Sequence, residues 1–404
     1  MKDIKVTFNT LTPIWTGDAW GECNKLKLTG IIGSLRWWFE TLVRGMGYKA
    51  CYSTGDKCEV EIKNPEDVFN IHEKICPVCY LFGTTGWKSR FSVVTGNNTL
   101  SKLYNGKVVV KINGGSGWHY ESGLMGEVTF KFQYDETILK ETFSSILRIL
   151  LYLISEYGML GAKTSMGYGV VKFQIKGNDI SVTEDDWKNF EDYLQLFDKN
   201  KIKDLKDKEK KKQEELPSLK DFFFMKFNVT NSIDNVINNV KKFFNYQNRV
   251  IETKAIDKWK EKNWCITSPV VRKSIREEIK KKFKGNDDLR HFLMGNIQKI
   301  KALKEKDPTR FSAIQVSHIY KKNNNLEFRI YGWLPDIKPI NGNVDGIIEL
   351  LTELFENSPP WNSNLPSTIR NNICWDESGL KKVNSNIESL FIKKKEKDNQ
   401  GDVE

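Results

Sequence analysis

A long apolar helical pattern runs directly into a glycine-rich turn and then a strand, and this constrains the chain more than any other feature. Over Glu136–Glu156, Phe143, Ile146, Leu147, Leu150, Leu151 and Ile154 recur at helical spacing. The segment that follows is Gly158-Met159-Leu160-Gly161-Ala162-Lys163-Thr164-Ser165-Met166-Gly167-Tyr168-Gly169. A strand over Tyr168–Ile175 comes next. Four glycines in twelve residues let the backbone approach a partner closely and turn amides outward, or they mark a plain tight connection between helix and strand. The run is not a P-loop or a dinucleotide fingerprint, which sit strand-to-helix with a different order of residues.

Upstream, Ile4–Thr10 alternates as a strand, and Ser34–Arg44 carries Leu35, Trp38, Phe39 and Leu42 on one helical face. Gly45-Met46-Gly47 stops that helix. Residues 48–80 form a Cys-bearing insertion, and strands are predicted at Arg90–Thr95, Lys107–Ile112 and Gly126–Tyr134. The order strand, helix, strands, helix, glycine loop, strand predicts an α+β sandwich of the ferredoxin type, decorated by hairpins.

The segment Asp198–Glu215 is nearly all charge, and it is either a solvated helix or a linker. It divides the chain into an N-terminal domain (1–197), a charged linker (198–218) and a C-terminal domain (219–404). Within the last, a strand is predicted at Phe222–Val229 and a helix at Val236–Phe244. A basic segment covers Val271–Lys284, a hairpin Ala313–Leu334 turns at Asn323–Asn325, and a helix covers Val344–Phe355. Lys226-Phe227-Asn228-Val229-Thr230 echoes Val6-Thr7-Phe8-Asn9-Thr10, so the second half is either a diverged copy of the first or an unrelated domain. The tail Lys393–Glu404 is polar.

The 404 residues include 63 Lys+Arg and 52 Asp+Glu, a net charge of +11. That excess suits a polyanionic partner, or it reflects a Lys- and Asn-rich background. Ile149–Ile154, the most apolar stretch, is far shorter than the roughly 20 residues of a membrane span. The N-terminus has no apolar signal core, so the expectation is a cytoplasmic chain.

Three stretches suit RNA chemistry. The glycine loop places Lys163, Thr164 and Tyr168 where amides can turn outward to an anion, or it is a plain tight connection. Gly33-Ser34-Leu35-Arg36 opens a predicted helix, where Ser34 and Arg36 are placed to share a phosphate. Lys88 and Arg90 open a strand beside Trp87, a composition suited to tracking an RNA backbone or to a solvated strand start. Trp37 is either core or a stacking platform.

Seven cysteines in a chain without an export signal argue for thiols or a metal rather than disulfides. Cys51-x6-Cys58-x17-Cys76-x2-Cys79 suits structural zinc, with four ligands leaving no open position. His72 is an alternative ligand for Cys51 or Cys58, and paired buried thiols are the plainer reading. Cys23, Cys265 and Cys374 read as packing residues. Among the four histidines, His119 is the best placed for acid–base work and His291 reads as a core or interface group. No paired carboxylates suit two-metal chemistry.

Taken in order, Leu11–Gly17, Ile31–Trp38, Cys76–Gly83 and Leu160–Gly169 resemble the signature set of the CRISPR RAMP proteins, most closely the first-numbered subunit family of the type III-B Cmr effector. The signature spans about residues 1–175, and the second half matches loosely, through Arg290–Leu293 and the strand after Arg310–Ala313. The resemblance implies two RRM-like ferredoxin folds and a non-catalytic RNA-binding subunit near the crRNA 3′ end. Its partners would be crRNA, target RNA and other Cmr-type subunits, in a hetero-oligomeric ribonucleoprotein. Carried over by position, RNA contacts fall on Ser34, Arg36, Lys88, Arg90 and Lys163, while Gly161, Gly167 and Gly169 shape the loop. Ser165 and Met166 stand where relatives often carry basic residues. Some relatives carry a zinc finger just before the same Leu-Phe-Gly. A RAMP ribonuclease, maturing crRNA or cutting target RNA, is the first alternative: in sister subunits an Asp in the loop after the first strand cuts target RNA, and Asp18 and Glu22 lie in that loop here. A pure assembly adaptor is the second.

Overall fold

The computed structural model describes residues 2–51, 58–112, 117–135, 139, 141–199, 216–229, 231–243, 249–295, 312–335, 340, 342–356, 373–375, 381–382 and 386–392. Most of the charged segment 198–215, the tail 393–404 and the 113–116 loop before His119 lie outside the described residues.

The first sheet is built from β1 (Lys2–Thr10), β2 (Phe91–Asn98), β3 (Glu127–Tyr134) and β4 (Val171–Ile175), in the order β2-β3-β1-β4. All pairs are antiparallel, and Asn178–Asp179 adds a short edge beyond β4. This is the expected ferredoxin-like topology, with helix α1 (Leu28–Gly45) after β1 and α2 (Thr142–Glu156) after β3. Alternation aims Val6 and Phe8 of β1, Val128, Phe130 and Phe132 of β3, and Phe173 of β4 at the helices. Register places Val6 opposite Phe130 and Phe8 opposite both Val128 and Phe173, so one aromatic seam crosses three strands.

The second sheet repeats the order. Around β5 (Phe222–Val229) lie β7 (Asn325–Trp333) on one side and β8 (Ile373–Trp375) on the other, and β6 (Ile319–Lys322) follows beyond β7. Helix α4 (Val344–Glu356) sits between β7 and β8 in the chain, as α2 does between β3 and β4. The strand order 2-3-1-4 therefore occurs twice, which favours the diverged copy over an unrelated second domain. Its insertion is helical, and α3 (Ser268–Lys282) belongs to it.

The two halves share one core. Trp38 of α1 packs on Phe222 and Tyr331 of the second sheet, with ring centroids 6.1 and 5.6 Å away. Trp37 is partly buried and meets Trp38 and Phe222 edge-on, so it packs against the core. Residues 386–392 return to the first domain: Trp187 stacks on Phe391 at 5.3 Å, and Tyr157 donates to the Leu390 carbonyl at 3.2 Å. The expected boundary at 198–218 thus does not part the contacts cleanly.

Arg329 on β7 ties the halves electrostatically. Its side chain is buried and donates to the carbonyls of Ser155 and Gly158, both at 3.0 Å, at the end of α2. Its Nε donates to the Tyr320 hydroxyl at 3.0 Å. A cation there satisfies carbonyls that the helix leaves without partners and meets the negative end of its dipole. Alongside, Glu156 accepts from Lys226 at 2.7 Å and from Lys322 at 3.0 Å. Against the cost of burial, these two ammonium groups hold its carboxyl down to about 2.

Two expectations follow. Arg329→Met strands several buried carbonyls and lowers stability by about 3 kcal/mol, read as a fall in the denaturant midpoint. Glu156 releases its proton more readily folded than unfolded, so its contribution is complete above about 4.5 and is lost as pH falls toward about 2. Glu156→Gln therefore flattens that part of the acid limb in a stability–pH series, whereas an unchanged limb means that the lysines do not grip it.

Candidate RNA face and cysteine centre

The glycine loop is an internal joint. The N–H groups of Leu160, Ala162 and Gly169 donate to the carbonyls of Gly169, Trp15 and Pro13, all at 2.8 Å, and Gly161 N–H donates to the Ser34 hydroxyl at 3.0 Å. Met166 and Gly167 N–H close a tight turn onto Lys163 and Thr164. Those six amides are unavailable to an outside anion. The glycines serve close contact: a Cβ on Gly161 would come within 2.6 Å of the Trp15 carbonyl oxygen, and one on Gly167 within 2.6 Å of the His318 ring. Both have positive φ, as does Gly169.

Tyr168 is 1% exposed, and its hydroxyl donates to the Glu121 carbonyl. Its ring lies 5.7 Å from buried His318 and 6.1 Å from Tyr120. The expected stacking face is therefore inside the protein, where Tyr120 of the first domain meets His318 of the second. Thr164 begins a short 3-10 turn near Tyr331. Lys163 remains at the rim, half-buried and in the left-handed conformation (φ 58°), with its ammonium 3.1 Å from the centre of the Trp15 ring. Burial lowers its pKa.

Ser34 and Arg36 do not open a helix. The helix begins at Leu28, and Gly30 and Ile31 N–H already donate to Lys27 O. Ser34 sits inside the helix, donates to Gly30 O at 3.0 Å and accepts from Gly161, so it joins α1 to the loop. Arg36 points to the cysteine insertion. Its Nε donates to Glu40 at 3.0 Å, and its two terminal nitrogens reach Gly83 O at 2.8 Å and Cys79 Sγ at 3.2 Å. Two turns on, buried Arg44 donates to Pro217 O at 2.6 Å and Ala50 O at 3.2 Å. A stripe of Arg36, Glu40 and Arg44 thus anchors the insertion to α1. Its place on α1 departs from the expected phosphate contact because all three of Arg36's nitrogens already have partners.

The insertion brings Cys51, Cys58, Cys76 and Cys79 together, their sulfur atoms all within 4.8 Å of one another. Cys51 and Cys58 Sγ are 3.2 Å apart, and Cys76 and Cys51 Sγ 3.8 Å. Cys76 caps the short helix Pro77–Phe82, which places Cys79 one turn away. The set can hold a metal ion, and His72 is not part of it. The neighbouring thiols, and then Arg36, lower the Cys79 pKa, which favours the thiolate that a metal needs. Cys23 and Cys265 are buried packing residues, as expected. Cys374 falls in β8.

Lys88 is exposed, and Arg90 lies 3.5 Å over the Trp87 ring. Asp18 accepts from the N–H groups of Trp20 at 3.1 Å and Glu22 at 2.9 Å, so its carboxylate organises a turn. His119 is exposed on the Trp118–Glu121 strand. His291 lies 3.4 Å from Arg290 on the Asp287–Met294 helix. The basic Val271–Lys284 segment is largely engaged: Arg272 is buried against Ile314 O, Met294 O and Ser312, and Lys273, Lys281 and Lys282 pair with Glu277, Glu278 and Glu349. Sequence reasoning missed two groups. Arg329 gave no signal because the carbonyls it caps lie over 170 residues away. Trp20 had one available signal, an aromatic in a polar loop, but not its exposure.

No helix among the described residues is long and apolar enough to cross a membrane. No curated protein matches the chain. Among solved structures, the chain is similar to Cmr1 from Pyrococcus furiosus in its apo form, at 14% identity and a TM-score of 0.38, over 86% of this chain and 96% of that one. It is similar to a chain of the type III-B Cmr-beta complex bound to cognate target RNA and AMPPnP in the presence of ssDNA, at 15% identity and a TM-score of 0.39, over 87% and 98%. A chain of a type IV-B CRISPR complex matches at 14% identity and a TM-score of 0.32, over 46% and 98%. A family model described as the RAMP superfamily matches residues 7–172. Those residues carry the βαββαβ sheet and the glycine loop ahead of its fourth strand, and over this span the chain is similar to the RAMP superfamily.

Proposed function

We propose that the chain is a non-catalytic RNA-binding subunit of a type III-B CRISPR effector, placed near the crRNA 3′ end. Its partners are crRNA, target RNA and neighbouring effector subunits in the cytoplasm. The observation that carries this reading is the RAMP-superfamily match over residues 7–172, in a chain whose second sheet repeats the strand order of the first. The net charge of +11 and the signature motifs agree with it. Binding is largely sequence-independent, with cations on phosphates and aromatics on bases. Of the groups nominated for cleavage, Asp18 holds two backbone amides and His119 is exposed on the Trp118–Glu121 strand.

The cysteine centre is proposed as structural zinc. A Zn–S bond of about 2.3 Å in a tetrahedron separates the sulfurs by roughly 3.8 Å, close to the spacing of this cluster. Cys51, Cys58, Cys76 and Cys79 would hold the ion as thiolates, and Arg36 would orient Cys79 through its N–H···S contact. The ion would pin the insertion that α1 carries.

Binding to a labelled single-stranded RNA across a salt series, with the same mixtures run on a denaturing gel with and without divalent metal, tests the function. Affinity is expected to fall steeply with salt while the RNA stays intact. Defined products that vanish in Asp18→Ala or His119→Ala would establish a nuclease, and salt-independent weak binding would leave the adaptor. Metal analysis is expected to find one zinc per chain, lost in Cys76→Ser. Arg36→Met lowers zinc affinity by about tenfold or more, measured by competition with a chromogenic chelator. Unchanged zinc affinity would mean that Arg36 merely fills space.

A further inference from the structure

Trp20 is 85% exposed, the most exposed large hydrophobic side chain among the described residues. An indole left in water gains nothing for the fold, yet its backbone is held firmly. Asp18 Oδ1 accepts from Trp20 N–H and Glu22 N–H, Asp18 N–H donates to Glu22 O at 2.9 Å, and Gly21 N–H donates to Asp18 O at 3.0 Å. Gly21 turns the chain with a φ of +78°. Below the tip, buried Cys23 accepts from Thr16 N–H at 3.3 Å, which seals the loop onto the core. The tip is therefore a preorganised mount that presents one aromatic face.

Its surroundings select the ligand. Lys25 and Lys27 are exposed on the same loop. Lys102 reaches the loop through Asn24 at 2.7 Å, and Lys163 lies on Trp15, at the loop's start. The loop's two acids are engaged within it: Asp18 by the turn amides and Glu22 by the Asn24 amide at 2.7 Å. We propose that Trp20 is a base-stacking residue for single-stranded RNA, with Lys25, Lys27, Lys102 and Lys163 following the phosphates. An aromatic face among cations is the pattern that binds single strands without reading sequence.

This assignment rests on the RNA-binding reading, and the test separates the two. Full-length wild type, Trp20→Ala and Trp20→Phe are compared for affinity to a fluorescent oligouridine across a salt series. Trp20→Ala is expected to weaken binding by about tenfold or more. Trp20→Phe retains most of the affinity, and the salt slope stays at the wild-type value because no phosphate contact is removed. Wild-type binding with an equal affinity in Trp20→Ala would overturn the stacking role and leave the RNA-binding reading intact. Absence of salt-sensitive binding by the wild type would overturn that reading, and the stacking role with it.

Discussion

The cation of Arg329 at the end of α2 is the contact on which the arrangement depends. A buried guanidinium is costly unless its donors find partners, and here Nη1 donates to the carbonyls of Ser155 and Gly158 and Nε to the Tyr320 hydroxyl, while Nη2 has no partner among the described residues. The same carbonyls would be orphaned without it. The contact fixes where α2 stops, and so where the glycine run begins. From there each glycine meets a neighbour that admits no side chain: Trp15 at Gly161 and His318 at Gly167. The second half of the chain thereby holds the glycine loop from behind.

This changes what the glycine run is for. Its composition alone suits either an outward anion cradle or a tight joint. Six of its amides donate inside the protein and Tyr168 is buried, so the joint is what forms. Only the short turn around Lys163 stays at the rim. The net positive charge divides in a similar way. Arg36, Arg44, Arg272 and Arg329 are bound to carbonyls inside the molecule, and charge count alone overstates the surface open to RNA.

The strand and helix order of the first domain was legible because its alternation and helical spacing are strong, and the four-cysteine set because its spacing is local chemistry. The start of α1 was not. Gly30 and Gly33 are poor helix formers and Lys27 offers no side-chain cap, yet Gly30 is needed where a Cβ would lie 3.3 Å from the Thr16 side chain. Packing overrides propensity there, and it moves Ser34 and Arg36 from a helix end to its interior. The roles of Arg36, Tyr168 and Arg329 depend on contacts with residues distant in the chain, which neither periodicity nor spacing encodes. The repeat of the fold was faint in sequence because it survives as strand order and hardly as residues.

The central claim is that the glycine loop is a joint and that RNA is met at the rim formed by the loop after β1. Hydrogen–deuterium exchange of the full-length chain, alone and with single-stranded RNA, tests it most directly. The account predicts slow exchange over 158–169 in the free protein, unchanged by RNA, and new protection over 17–27 when RNA binds. Fast exchange over 158–169 that slows only with RNA, and no change over 17–27, would contradict it.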